Sequence, residues 1–167
     1  ARSDLEAACI SPGPGHPSAA GLCREFLQNL PKHVPVLGVC LGRQILGEYA
    51  GADIATGKRI MHGKSSDITH DNRHIFAGLP QPMSVARYHS LLVTNPPADK
   101  LRITAKTPDN EIMALEYTDR PWFGVQFHPE SVLTPDGLRL LGNFLSLARG
   151  ESLESDAAAN ASYAADR

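Results

Sequence analysis

The order of apolar and polar stretches in the first part of the chain predicts a strand, a rigid loop and a helix. The apolar run from Ala7 to Ile10 ends at a glycine- and proline-rich loop, as a strand does where the chain leaves a sheet. A helix with an N-cap at Ser18 is predicted next, and Pro31 ends it. The residues at helical spacing that we expect to pack into the core are Ala19, Leu22, Cys23, Phe26, Leu27 and Leu30.

A second strand and helix meet at a cysteine. The β-branched run from Val34 to Val39 is typical of strands that are buried on both faces. Cys40 follows at once, and helical spacing then continues to Gly51, which suits a left-handed helix end. This alternation of strands and helices predicts a parallel sheet covered by helices.

The second half of the chain carries shorter β-rich runs and one helix. The runs predict antiparallel additions to the sheet: Ser66 to Thr69, Ser84 to Tyr88, Leu101 to Lys106, Ile112 to Tyr117 and Trp122 to Phe127. A final helix is predicted behind an N-cap at Thr134, with one apolar face and Gly150 at its end. That face consists of Leu138, Leu141, Phe144, Leu145 and Ala148.

These elements predict an α/β fold, a mostly parallel sheet flanked by helices with antiparallel additions. We expect one domain over residues 1–150 of the 167. Residues 151–167 are rich in Ala, Ser and acidic residues with hardly any large apolar side chain, so a disordered tail or linker is predicted.

Composition narrows the function classes. A net charge of −2 without a basic stripe argues against nucleic acid as a partner. The apolar runs are far shorter than the ~20 residues that span a bilayer, and no signal-peptide pattern opens the chain, so we expect a cytoplasmic protein that does not bind membranes. Three cysteines without a CxxC pair indicate neither a disulfide framework nor a zinc site.

Cys40 is the candidate nucleophile. Gly38 to Gly42 has the form G-x-C-x-G, a cysteine version of the elbow that raises a nucleophile on a strand-to-helix turn. The helix N-terminus is expected to lower the thiol pKa from its usual ~8.5, and the amide of Leu41 to face an oxyanion. A buried structural cysteine is the alternative interpretation of this pentapeptide.

A thiol nucleophile also needs a base and a group that orients the base. His128 follows directly on the last predicted strand, and the ends of parallel strands gather at one sheet edge. Glu130, two residues further on, is placed to hold the imidazole.

Five sequence blocks stand in order along the chain. They are Ser11-Pro12-Gly13-Pro14-Gly15, Gly38-Val39-Cys40-Leu41-Gly42-Arg43-Gln44, Met61-His62-Gly63-Lys64, Tyr88-His89-Ser90-Leu91 and Gly124-Val125-Gln126-Phe127-His128-Pro129-Glu130-Ser131. Together they resemble the class I (triad) glutamine amidotransferases, and most closely the small subunits of anthranilate synthase and aminodeoxychorismate synthase.

The resemblance implies a flavodoxin-like fold and a glutaminase that supplies ammonia to a chorismate-using synthase subunit or domain. It implies that Cys40 attacks L-glutamine, that His128 moves the proton and that Glu130 orients His128. It also implies oxyanion donors at Gly13 and Leu41, with neither metal nor cofactor. The substrate-binding residues that it implies are Gly15, Gln44, His89, Ser90 and Leu91. The block from Met61 to Lys64 resembles the surface that meets the synthase.

Two features depart from the family pattern. Arg43 stands where the family usually has His, and because Arg is bulkier and always charged we expect altered packing or partner contacts. The chain also starts at Ala1 rather than Met and lacks the strand and helix that the family places before Ala7, a unit of roughly 30 residues. We therefore expect a sheet without one central strand, in a processed or partial chain of low stability.

Two alternative functions stay open at this point. A γ-glutamyl hydrolase would use the same chemistry without a partner, although the blocks at Met61 and Tyr88 argue against it. A non-catalytic binding or regulatory domain would have kept the fold and lost its activity through truncation.

Overall fold

The structure is a computed structural model that describes residues 5–57, 61–151 and 153. Its helices are α1 (Gly21–Asn29), α2 (Leu41–Ala50) and α3 (Gly137–Ala148), and short 3-10 turns cover Pro17–Ala19 and His74–Phe76. Its strands are β1 (Ala8–Ile10), β2 (Val36–Val39), β3 (Asp53–Thr56), β4 (Lys64–His70), β5 (Met83–Arg87), β6 (Leu91–Thr94), β7 (Leu101–Lys106), β8 (Ile112–Tyr117) and β9 (Trp122–Val125).

Seven of these strands form a mixed sheet in the order β1-β2-β9-β8-β7-β4-β5. The pairs β1/β2 and β2/β9 are parallel, and the remaining neighbours are antiparallel. The α/β class and the antiparallel additions are confirmed, although the antiparallel part is larger than predicted. In the parallel part Val39 lies beside Val125, so the ends of β2 and β9 meet at one edge.

Two hydrophobic clusters form the core. One includes Leu140 and Phe144 of α3 together with Phe76 and Phe127. The other joins α1 and α2 to the sheet and contains the fully buried Trp122. Cys23 packs against this second cluster while half-buried, which agrees with its predicted packing role.

The predicted apolar faces of two helices need correction. Leu22 and Phe26 of α1 are 83% and 41% exposed, whereas Leu27 on the same helix is buried. In α3, Leu138 and Leu145 are 80% and 49% exposed, whereas Leu140 is fully buried. Apolar residues occupy most positions of α3, so spacing alone did not identify the stripe that faces the core.

The helix starts also differ from the prediction. The side chain of His16, rather than Ser18, caps the first turn by accepting a hydrogen bond from the Ser18 amide. Helix α3 begins at Gly137 with Asp136 as its N-cap, two residues beyond the N-cap predicted at Thr134. The left-handed helix end at Gly51 is confirmed by its φ of 100°.

Strands β3 and β6 were not predicted and form a separate antiparallel pair. Thr56 lies beside Leu91 in this pair, which brings the start of β6 close to the end of β3. The predicted tail over residues 151–167 lies almost entirely outside the described residues. Within the described part of the chain, every helix is too short or too polar to cross a bilayer.

Candidate active site

Cys40 lies in a strained turn between β2 and α2. Its backbone has φ 53° and ψ −103°, a conformation that costs a non-glycine residue roughly 1–3 kcal/mol. Its amide donates to the carbonyl of Val125 at 2.8 Å, and Cys40 is the N-cap of α2. The elbow predicted from the G-x-C-x-G pattern is therefore present in the backbone.

Gly42 permits the close approach of α2 to β1. A Cβ atom built on Gly42 would lie 2.0 Å from the carbonyl oxygen of Ile10, far inside van der Waals contact. Only glycine fits between this helix and this strand without moving the backbone.

We expect Gly42→Ala to destabilise the protein by at least ~3 kcal/mol, because the added methyl meets rigid backbone rather than a flexible side chain. Urea unfolding followed by circular dichroism measures this loss. The matched control is Gly142→Ala on α3, where a Cβ meets nothing within 4 Å. The control should gain ~0.5–1 kcal/mol from better helix propensity. Equal midpoints for the two variants would contradict the expected clash.

A cavity of about 210 Å³ opens beside the thiol. All the predicted oxyanion and substrate-binding residues line it together with Cys40. The lining residues are Gly13, Pro14, Gly15, Cys40, Leu41, Gln44, Tyr88, His89, Ser90 and Leu91. The glycine-proline loop, the elbow and the loop before β6 thus form one pocket.

His128 and Glu130 lie next to this pocket and form the predicted pair. Nδ1 of His128 lies 2.7 Å from a carboxylate oxygen of Glu130. Nε2 of His128 is buried and has no hydrogen-bond partner within the described structure. The His128 ring also contacts the ring of Tyr88, which lines the cavity, at a centroid distance of 5.2 Å. With Nδ1 held by a carboxylate, Nε2 is the nitrogen available for proton transfer.

The pKa of the Cys40 thiol is raised above its ordinary value, contrary to the prediction from the helix N-terminus. Burial is the largest cause, and the negative charge of Glu130 acts in the same direction. The Leu41 amide, the Arg43 charge and the Gln126 amide lower it by smaller amounts. Burial therefore disfavours the thiolate in the free protein, and a base that accepts the thiol proton would favour its ionisation.

The rate of Cys40 alkylation by iodoacetamide should keep rising as the pH passes 9.0, the ordinary pKa of a cysteine thiol, because burial disfavours the thiolate. The rate is measured in a background of Cys9→Ser and Cys23→Ser, which removes the other two thiols. Far-UV circular dichroism at each pH confirms that the fold persists. A rate that levels off below pH 8 would contradict this expectation.

His89 was expected to be a substrate-binding loop residue, and its side chain lies deeper in the protein than this expectation implied. It is buried, and its Nε2 accepts a hydrogen bond from Nε of Arg87 at 3.1 Å. Burial and the Arg87 charge lower the pKa of His89 to about 3, so the ring is neutral. His89 is therefore a neutral, weakly basic part of the pocket wall.

Two residues of the site received no role from the sequence. Gln126 places its Nε2 3.7 Å from the Cys40 sulfur, and Tyr88 lies between His128 and His62. Both residues stand within the quoted blocks, and Gln126 belongs to the segment that leads from β9 to His128. Their positions were therefore visible in the sequence, whereas their contacts depend on how distant segments pack. Among the described residues, no group of three or more His, Cys, Asp or Glu could hold a metal ion.

The fold and this pocket define an α/β protein whose candidate site holds a cysteine at a strand-to-helix turn beside a histidine–carboxylate pair. The glutamine amidotransferase class I family model matches residues 1–148, and the chain belongs to this family.

Relatives and a solved structure agree with this assignment. The chain is 48% identical to the bifunctional protein TrpGD of Thermotoga maritima over 83% of its own length and 24% of that protein. It is 45% identical to the aminodeoxychorismate/anthranilate synthase component 2 of Bacillus subtilis, over 85% of this chain and 74% of that protein. A protein of Thermoplasma acidophilum assigned as a GMP synthase subunit shares the fold, with a TM-score of 0.80, 24% identity and coverage of 89% and 75%. The chain thus spans about a quarter of the first of these relatives and three quarters of the second.

Proposed function

We propose that this chain is a cytoplasmic glutaminase that hydrolyses L-glutamine and delivers the ammonia to a chorismate-using synthase, for anthranilate or 4-amino-4-deoxychorismate synthesis. The observation that carries the proposal is the strained Cys40 elbow, which opens into one pocket with the glycine-proline loop beside the His128–Glu130 pair. The names of the relatives from Bacillus subtilis and Thermotoga maritima support a synthase partner.

In the proposed reaction, the Cys40 sulfur attacks the carboxamide carbon of glutamine while the thiol proton passes to Nε2 of His128. The imidazolium returns this proton to the leaving nitrogen, so the C–N bond breaks, ammonia leaves and a glutamyl thioester remains. Water then attacks the thioester, with His128 accepting its proton and passing it to the departing sulfur. One glutamine and one water give one glutamate and one ammonia.

The oxyanion of each tetrahedral intermediate is assigned to the amides of Leu41 and Gly13. The Leu41 amide already faces the Cys40 sulfur, since it lowers the thiol pKa through a hydrogen bond. Gly13 packs closely over Leu41, because a Cβ on Gly13 would lie 3.1 Å from Leu41 Cδ2. Each such donor typically stabilises the transition state by ~3 kcal/mol.

The amino-acid end of glutamine is assigned to Gln44 and the loop from His89 to Leu91. The side chain of Gln44 is buried and donates to the Leu91 carbonyl at 3.2 Å, which fixes helix α2 against this loop. The predicted polar contacts of Gln44, Ser90 and their neighbours thus belong to one rigid wall of the pocket.

The purified protein, incubated with glutamine and a chorismate-using synthase, is expected to release glutamate. Cys40→Ala is the control, because it removes the nucleophile and keeps the helix start. Absence of glutamate above this control would overturn the proposal.

Two further measurements separate the alternatives. Turnover of γ-glutamyl peptides without a partner would favour a γ-glutamyl hydrolase. A glutamine-analogue electrophile should modify Cys40, and a folded protein that resists this reagent would favour a non-catalytic binding domain.

A further inference from the structure

Arg43 is a fully buried cation three residues after the nucleophile. Its Nη1 donates to Oε1 of Gln126 at 2.7 Å, and its Nη2 donates to the carbonyl of Ile112 at 2.9 Å. Gly124 provides the space for this side chain, because a Cβ there would lie 2.8 Å from Arg43 Cγ. Arg43 is thus an interior residue of α2 that packs against the sheet, so of the two expected effects, on packing or on partner contacts, the structure supports the one on packing.

This guanidinium has no carboxylate partner among the described residues, and its hydrogen bonds go to an amide oxygen and a backbone carbonyl. An uncompensated buried charge is costly, and a well-packed apolar residue often stabilises a protein more. Burial lowers the pKa of Arg43 to about 9, and the negative charge of the Cys40 thiolate raises this pKa by a smaller amount. The thiolate is therefore the anion that would offset the cost of burying this cation. The cation gains a counter-charge only when Cys40 ionises.

Gln126 connects the cation to the sulfur. Its Oε1 accepts from Arg43 Nη1 at 2.7 Å and from Gln44 Nε2 at 3.4 Å. Because these donors occupy the oxygen, the amide nitrogen is the end that faces the Cys40 sulfur at 3.7 Å. The orientation of the Gln126 amide thus follows from the donors that Arg43 and Gln44 place on its other side.

We propose that Arg43 is a positioning residue for the Cys40 thiol: it fixes the Gln126 amide so that the amide donates to the sulfur, and its buried charge stabilises the thiolate. The inference deepens the proposed function, since it concerns the nucleophile of that reaction. It concerns the ionisation of one thiol and needs neither glutamine nor a partner for its test.

Among the described residues, the titratable groups around the Cys40 pocket are Arg43 on α2, Tyr88 and His89 before β6, and His128 and Glu130 after β9. Glu130 disfavours the thiolate and His89 is neutral. Arg43 is therefore the positive charge acting on the thiol that a substitution removes without changing the triad, and it is present at pH 8, below its pKa of about 9.

The experiment follows iodoacetamide alkylation of Cys40 against pH in the background that lacks Cys9 and Cys23. Arg43→Met, which keeps the length of the side chain, should move the pH profile upward by about one unit and slow alkylation at pH 8 by about tenfold. Arg43→Lys keeps the charge and should recover part of the rate. Gln126→Met keeps the cation and loses the amide donor, so its shift should be smaller and in the same direction.

An unchanged pH profile in folded Arg43→Met would overturn the inference. If Arg43→Met does not fold, the test rests on Gln126→Met and Arg43→Lys. Alkylation pH profiles identical to that of the parent protein in both variants would overturn the inference, and upward shifts would support it. If the parent protein and its synthase partner release no glutamate while the variants still show the alkylation shift, the proposed function alone is refuted, so the two failures are distinguishable.

Discussion

His128→Ala is expected to lower glutamate release in the presence of the synthase by about 10³-fold, the loss typical of removing a general acid–base. The physical reason is that the Cys40 thiol pKa is raised by burial, so the nucleophile depends on a base for its ionisation. Initial rates of glutamate formation at saturating glutamine measure this loss.

Glu130→Gln should cost less, roughly 10–100-fold, which corresponds to one hydrogen bond to a charged group. The Glu130 side chain is 53% exposed, so water screens part of its effect on His128.

His33→Ala is the matched control for His128→Ala, because His33 is exposed and lies outside the pocket. Equal rates for His128→Ala and His33→Ala would exclude His128 as the base.

Trp122→Ala should destabilise the protein by ~3–5 kcal/mol, the range for removing a large buried aromatic side chain. The indole is fully buried, its N–H donates to the carbonyl of Val34 at 3.1 Å, and its ring contacts that of Tyr117 at 5.1 Å. The Arg120 guanidinium lies 4.7 Å from the indole centroid and adds a cation–π contact. Urea unfolding at neutral pH gives the change in free energy.

The comparison for this prediction is Leu138→Ala, which removes a leucine that is 80% exposed. Its unfolding free energy should stay within ~0.5 kcal/mol of the parent protein. A Trp122→Ala variant that loses less than the Leu138→Ala variant would show that the cluster around β9 does not determine stability.

Local pattern was sufficient to predict the elbow and the strand that precedes His128. Both rest on short-range rules, a β-branched run before Cys40 and a glycine on each side of it. The meeting of Cys40 with the His128 segment was also predictable, because ends of parallel strands share one edge.

Long-range electrostatics could not be predicted in the same way. The expected lowering of the Cys40 pKa rested on the helix N-terminus, whereas burial of the thiol outweighs the groups that lower its pKa. Similarly, the interior position of Arg43 follows from the absence of a side chain at Gly124, on a strand 81 residues further along the chain. A single sequence does not state which distant glycine faces which helix.

The predictions of which helix face is buried were wrong for a different reason. In α3 the sequence has leucines at positions that form two overlapping stripes, and only the position of Phe76 and its neighbours selects the one with Leu140. Periodicity measures amphipathicity but does not decide between stripes of similar hydrophobicity.

The parallel pairing of β2 with β9 also determines when Cys40 meets the Gln126 side chain during translation of the protein. Cys40 and Gln126 are 86 residues apart in sequence, so the whole segment between them must leave the ribosome before the two side chains meet. Pairing over such a separation is slow, because the chain loses loop-closure entropy before the long-range contacts form. In the nascent chain, Cys40 therefore stays apart from the Gln126 amide until β9 has been synthesised and has docked.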